Sequence, residues 1–424
     1  DPLWSRGLGD VYKRQIVITS KKKPILWLLS DTHLIADSLH DDGLAFQHMR
    51  NTSAGKDLDY QEIALTAFVR KVIQEKPTAV IITGDVTFNG AKISGERLAN
   101  IFKPLTKNKI AFLVLPGNHD IFDGWARKFK GDHEDYTPQI SPAIWKEIFA
   151  DSYHYALHED PDSLAYSVNL NKQYRLILAD SNIYGKQESQ THLITNGRIS
   201  ESQMNWIEKE LIDAQQKQQQ VLFFMHHNLY RHNKVIYQGY ILDNALALQG
   251  LLQKYNVKAV FSGHMHAQNI IGPFANRPIA EVAGACFCMT KQEYGQLYLD
   301  EAGMQYQVHS FKMESWLTAE EKQKVPTDFS QYLKHLFFSL DEKQLNQIAQ
   351  ALSDKNDANV VIKFIDQLNW NFFVGESNYS AAQKKEIVNS REYHLIAKYL
   401  PGFKRYVDSF LQVEQSSHKL KLKW

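Results

Sequence analysis

The chain has 424 residues, 44% of them hydrophobic, and its 48 lysines and arginines nearly balance its 47 acidic residues. That length exceeds one ordinary core and predicts two domains, while the near-neutral balance gives no support for a broad nucleic-acid or anionic-membrane surface. With only Cys286 and Cys288, a disulfide framework is excluded, and no apolar run is long enough for a membrane-spanning helix.

Residues 1–15 (DPLWSRGLGDVYKRQ) show no periodicity and no start methionine, and they read as a non-native leader. A cytoplasmic location is the default expectation; an extracytoplasmic or membrane-anchored one follows if a native signal is missing. The lysines at 21–23 read as a solvated chain start. From Pro24 onward, short apolar runs at 25–30, 79–83, 110–115, 174–179, 221–226 and 257–262 are bounded by polar or turn residues and predict strands. Between them, 60–74 and 244–255 are amphipathic at helical spacing. Ser200 with Gln203 forms a capping-box signature for a further helix. Repetition of strand, helix and strand predicts an α/β fold with a mostly parallel, helix-covered sheet.

After Met313 the texture changes. Segments 318–324, 341–352, 358–368 and 381–399 read as helices without intervening strands, and Trp370, Phe372 and Phe373 read as their core. The expected division is therefore 16–312 as a catalytic domain and 313–424 as a helical C-terminal domain. Cys286 and Cys288 read as small buried residues, since a bridge between such close neighbours would be strained.

Chemistry concentrates where the strands end. The run at 25–30 leads into Asp31-Thr32-His33, that at 79–83 into Gly84-Asp85, and that at 110–115 into Gly117-Asn118-His119-Asp120. The run at 221–226 closes on His226-His227, and that at 257–262 leads into Gly263-His264-Met265-His266. Ligands in open α/β sheets bind outside the carboxyl ends of the strands, so five such ends converge on one place. Carboxylate, imidazole and amide oxygen together suit divalent ions such as Mn²⁺, Fe or Zn²⁺. Two such ions clamp both oxygens of an in-line phosphoryl displacement and make hydroxide available near neutral pH. Asp85, on a central strand, is the natural carboxylate to bridge them.

D-x-H, G-D, G-N-H-D, a histidine after an apolar strand, and G-H-x-H, in this order, resemble the calcineurin-like metallophosphoesterase superfamily. The resemblance spans roughly 24–312. It implies a β-sandwich of mixed, mostly parallel sheets flanked by helices, followed here by the helical C-terminal domain. One metal would be held by Asp31, His33, Asp85 and His266, the other by Asp85, Asn118, His226 and His264. His119 would face the phosphate as general acid or charge stabiliser, with Asp120 orienting its imidazole. His227 points to the other face of its strand and is divided between an active-site contact and a structural role. His40, Asp41 and Asp42 line the pocket or a solvated loop, and His192 and His232 read as surface residues.

The flanks DTHLIADSLHDDG and GDVTFNG look like bacterial class III cyclic-nucleotide phosphodiesterases, some of which carry an added helical domain. The implied reaction is hydrolysis of a small, cyclic-nucleotide-like phosphodiester by a hydroxide bridging two divalent metals. A phosphomonoesterase or a nuclease would use the same site, although the balanced charge disfavours a backbone-tracking nucleic-acid groove. A non-catalytic binding protein on this fold would be expected to lack one of the site residues, and none is missing. The partner expected is a small phosphate ester; oligomeric state is not legible.

Overall fold

The predicted strands owe their unbroken apolar runs to burial on both faces. In Ile25–Leu29, Leu26 and Leu28 face one core while Trp27 and Leu29 face another; Ala79–Thr83 and Ala111–Leu115 alternate in the same way. One-sided strands would have alternated polar and apolar residues instead. The computed structural model describes residues 17–338 apart from 192, residue 348, and residues 350–424 apart from 353. The leader at 1–15, His192 and most of the helix expected at 341–352 lie outside the described residues.

Two mixed sheets pack face to face. One runs in the order Lys419–Lys423, Gly303–Ser310, Glu293–Asp300, Ile25–Leu29, Ala79–Thr83 and Ala111–Leu115. The other runs Asn269–Ile271, Ala280–Ala283, Ala259–Ser262, Gln220–Phe224, Tyr174–Leu178, Tyr166–Asn169 and Ala156–Glu159. Parallel pairing occupies the βαβ units: Ile25–Leu29 with Ala79–Thr83 and then Ala111–Leu115, and Tyr174–Leu178 through Gln220–Phe224 and Ala259–Ser262 to Ala280–Ala283. The strands outside these groups pair antiparallel. Leu28, Ile81, Leu113, Leu176, Leu222 and Phe261 fill the space between the sheets. Each such side chain contributes about 1.5–3 kcal/mol by leaving water.

Helices cover the outer faces. Gln61–Glu75 and Lys92–Lys107 bury Phe68, Val72, Leu98 and Phe102 on the first sheet; Glu201–Gln216 and Ala245–Lys254 bury Ile207, Leu211, Leu248 and Leu252 on the second. Only half of the expected capping box at Ser200 forms. Its hydroxyl accepts from Gln203 N, but the Gln203 side chain is engaged with the backbone of Asp180. Beyond Ser310 the chain is mainly helical, with Lys355–Phe373, Ala381–Asn389, Arg391–Tyr399 and Pro401–Phe410. The single helix expected at 381–399 is divided at Ser390, whose side chain caps the second piece. Segment 318–324 forms only a short 3-10 turn at Glu321–Gln323. This helical region packs on Met265, Ala267 and Ala283 beside the strand ends. The chain then returns to the first sheet, where Leu420 and Leu422 of Lys419–Lys423 are buried.

Candidate active site

The polar residues read at the five strand ends are brought together. Asp31, His33, Asp85, His264 and His266 all adopt left-handed backbone conformations, with φ of 52°, 42°, 48°, 69° and 60°. That region is costly for residues with a Cβ and persists where surrounding structure enforces it. Here the loops are laced to one another: Asp31 N donates to Gly84 O (3.1 Å) and His33 N to Asp85 O (2.9 Å). Glycines allow the close approach. A Cβ on Gly117 would stand 2.1 Å from an Asp85 carboxylate oxygen, and one on Gly84 would stand 2.5 Å from His226 Nδ1.

Ligand-capable atoms form two groups that share Asp85. Asp31, His33, Asp85 and His266 lie mutually within 4.8 Å, as do Asp85, His226 and His264. Asp85 Oδ2 is 3.8 Å from His33 Nε2 and 3.3 Å from His226 Nε2. In the first group, His33 Nε2 and His266 Nε2 face each other at 3.0 Å, and His266 Nε2 is 3.3 Å from Asp31 Oδ1. In the second, Asn118 Oδ1 is 3.1 Å from His226 Nε2.

The donor set fits a cation. His226 Nδ1 lies 2.8 Å from Thr83 O, and a carbonyl can only accept, so Nδ1 carries the hydrogen. Its Nε2 then meets Asp85 Oδ2 and Asn118 Oδ1, two acceptors that a proton or a metal ion on Nε2 would satisfy. In the metal-free protein a proton takes that place. Burial pulls the His226 pKa down, but the charge and hydrogen bond of Asp85 more than offset it and hold it at about 9. Burial likewise disfavours the Asp85 anion, yet His226 and His119 keep its pKa well below the ordinary carboxylate value. His264 directs Nε2 at the carbonyls of Thr195 (3.1 Å) and Gly239 (3.0 Å), which leaves Nδ1 as its lone-pair nitrogen. Burial lowers its pKa to about 3, so it is neutral and able to ligate.

His119 borders the cluster, its ring edge-on to His33 at 5.0 Å and its backbone N–H donated to Asp85 Oδ1 (2.9 Å). Desolvation, partly offset by Asp85 and reinforced by Lys56, lowers its pKa to about 4. The orienting carboxylate expected at Asp120 does not face it. Asp120 is consumed by Val86 N, Thr87 N, the Thr87 hydroxyl and Gly117 N, and so ties two site loops together. Asp123 is the carboxylate facing the ring, with Oδ2 3.7 Å from His119 Nδ1, too far for a hydrogen bond, and neither buried atom has a hydrogen-bond partner. Sequence reasoning missed it; its only signal was an acid four residues on, in a loop too irregular to orient by periodicity.

His227 lies behind the cluster, its Nδ1 2.8 Å from Ser181 Oγ and its Nε2 3.0 Å from the same Thr195 carbonyl that His264 uses. His232 is not a surface residue: its side chain is buried, with Nε2 3.0 Å from Glu281 Oε2. His40 stacks on Phe46, Asp41 accepts from Gly43 and Gly131, and Asp42 pairs with Arg50, so none joins the cluster. Cys286 lies against the first group and donates its thiol to Asp31 O at 3.1 Å. Burial pushes that thiol's pKa up, so it is present as the protonated form and not as a ligating thiolate. No helix among the described residues is long and apolar enough to cross a membrane.

Over half of the chain, residues 25–268, matches the calcineurin-like phosphoesterase family. The chain belongs to that family. Residues 293–416 match the C-terminal domain of cyclic nucleotide phosphodiesterase. A probable glycerophosphodiester phosphodiesterase of Arcobacter nitrofigilis is 30% identical over 199 residues, 46% of this chain and 58% of that protein. A 3',5'-cyclic adenosine monophosphate phosphodiesterase of Escherichia coli is 27% identical over 132 residues, 30% of this chain and 44% of its own length. The chain thus spans about half the length of these curated relatives. A dimetal phosphatase from Danio rerio shares the fold, with a TM-score of 0.50 at 16% identity over 68% of this chain and 96% of the other. The calcineurin-like family implies a dinuclear divalent metal centre, and the two groups joined by Asp85 supply its candidate ligands.

Proposed function

We propose that this calcineurin-like phosphoesterase hydrolyses a small phosphodiester of the cyclic-nucleotide kind at the Asp85 cluster. The observation that carries the reading is one carboxylate shared by two ligand groups, with an imidazole, His119, at their edge. Asp31, His33, Asp85 and His266 would hold one ion, and Asp85, Asn118, His226 and His264 the other. When bound, the two ions supply Lewis-acid charge for the phosphoryl oxygens and a more acidic water as nucleophile; Mn²⁺, Fe and Zn²⁺ all suit these donors.

The protein groups do the rest. Asp120 and the Asp85–His119 backbone bond fix the loops, so the ligands need no rearrangement when substrate arrives. His119 sits where a leaving oxygen can reach it. Its neutral ring can pass on a proton only if Asp123 behind it takes part, and burial holds the pKa of Asp123 at about 7. The match of 293–416 to a cyclic nucleotide phosphodiesterase domain favours a diester over a monoester. A second reading, a glycerophosphodiester substrate, is favoured by the Arcobacter relative's name.

The test is a substrate screen of the Mn²⁺-loaded full chain against a 3',5'-cyclic nucleotide, glycerophosphoethanolamine, an aryl phosphodiester and an aryl phosphomonoester. Turnover of diesters in preference to the monoester, abolished by chelator and restored by Mn²⁺, is expected. Activity that survives excess chelator, or is confined to the monoester, would reject it.

A further inference from the structure

A cavity of about 470 Å³ opens beside His119, and its lining includes Met49, Lys56, Phe88, Trp125, Arg127 and Glu134. Its size falls within the range of small-ligand pockets, roughly 300–1,000 Å³. Lys56 is its unusual member. The residue is only 9% exposed, yet among the described residues it has no carboxylate within ion-pair distance. Its ammonium reaches a single backbone carbonyl, Ser53 O at 3.3 Å. The adjacent Asp57 is turned away, accepting from Gln61 Nε2, Asp59 N, Tyr60 N and the Tyr332 hydroxyl.

Lysines are almost never buried without a partner, because removing the ammonium from water is costly unless an anion replaces the lost hydration. The loop is built to keep this one in place. Ala54 and Gly55 are both left-handed, at φ of 56° and 73°, and Asp57 N is tied to Cys288 O at 2.9 Å. Among the described residues no carboxylate pairs with this cation, and although Glu134 lines the same cavity it forms no ion pair with Lys56. Met49, Phe88 and Trp125 give the cavity an apolar and aromatic side, opposed by polar residues that include Glu134; Phe88 lies near-parallel to His119 (21°, 6.5 Å), and Trp125 is 44% exposed.

We propose that Lys56 is the protein's own cation for the phosphoryl group, binding a non-bridging oxygen, and that the Met49–Phe88–Trp125 cavity receives the leaving alcohol, selecting one with a flat aromatic or heteroaromatic body. The proposal rests on the phosphodiester reading above for its second half; the first half needs only that phosphate binds at this site. Arg127 also lines the cavity, but its guanidinium lies over the Tyr136 ring at 3.7 Å and donates to Gly124 O and Ala126 O, so it is not assigned as a second phosphate ligand.

The experiment uses the Mn²⁺-loaded full chain and two variants, Lys56→Met and Trp125→Ala. Inorganic phosphate affinity is measured by calorimetry, metal content by elemental analysis, and kcat/KM on a phenyl-bearing phosphodiester and on glycerophosphoethanolamine. Lys56→Met is expected to weaken phosphate binding about 10- to 100-fold, with metal content unchanged and Tm unchanged or raised; Lys56→Arg should recover most of the affinity. Trp125→Ala is expected to raise KM for the phenyl diester about 5- to 100-fold, a loss at least several times larger than on the aliphatic diester. If Lys56→Met does not fold, Lys56→Gln carries the same test. Unchanged phosphate affinity with intact metals, or equal losses on both diesters in Trp125→Ala, would overturn the proposal. Failure of the phosphodiester reading looks different: the wild type would hydrolyse neither diester while phosphate binding still depended on Lys56.

Discussion

The two halves of the cluster reach the same end by different means. The Asp31–His33–His266 half is rich in charge: with Asp85 it offers two carboxylates, but no backbone carbonyl aims the His33 ring, whose buried Nδ1 has no hydrogen-bond partner. The Asn118–His226–His264 half adds only neutral donors to the shared Asp85, yet each imidazole is aimed by a backbone carbonyl. Ion affinity follows both ligand charge and site rigidity. On the proposed assignment, one half would recruit its ion by charge, and the other would hold geometry ready for a second ion that charge alone would bind poorly.

Asp85 is the one residue common to both halves, so its loss breaks the comparison altogether. Asp85→Asn should lose both ions by elemental analysis and reduce kcat/KM about a thousandfold or more, since several kcal/mol of charge stabilisation go with them. Retention of two ions would show that Asp85 is not shared. Next in size is His119→Ala, expected to lower kcat about 10²- to 10⁴-fold with both ions kept. Asp123→Asn should give a smaller loss with an altered pH profile; an unchanged profile would remove Asp123 from behind His119.

His227 sharpens the comparison on the geometry-held side. By sharing the Thr195 carbonyl it fixes the loop that orients His264, so His227→Phe should weaken one ion about 10- to 100-fold and spare the other. Equal weakening of both would contradict the division. The smallest effect is in protons. Because the His226 pKa stands at about 9, its ring is protonated at pH 7 and must shed that proton to ligate. His264, at about 3, is already neutral. Loading the second half should therefore release about one proton at pH 7 and progressively less as pH rises through about 9, read from the buffer dependence of the binding enthalpy. No release at pH 7 would show that His226 is not a ligand.

The strands that carry the site were legible because burial on both faces makes them short, continuous apolar runs, and a polar residue at the end of such a run stands out. For the same reason Asp31, Asp85, His226 and His264 could be read without knowing the fold. The antiparallel additions were harder. Glu293–Asp300 and Gly303–Ser310 mix polar residues and glycine into their runs, and Lys419–Lys423 carries its signal only as a period-two alternation after a long helical stretch. Tertiary partners were invisible for a different reason. Asp120 and Asp123 are three residues apart in one irregular loop, and only the fold decides which of them faces His119. His232 looked like a surface residue because its partner, Glu281, lies 49 positions away.

Anomalous diffraction from Mn²⁺-loaded crystals tests the central claim most directly. Two peaks about 3.5–4 Å apart, one on each side of the Asp85 carboxylate, are the predicted result, with the peak beside Asp31 filling first at substoichiometric metal. A single peak at full loading, or two peaks that do not share Asp85, would contradict the account.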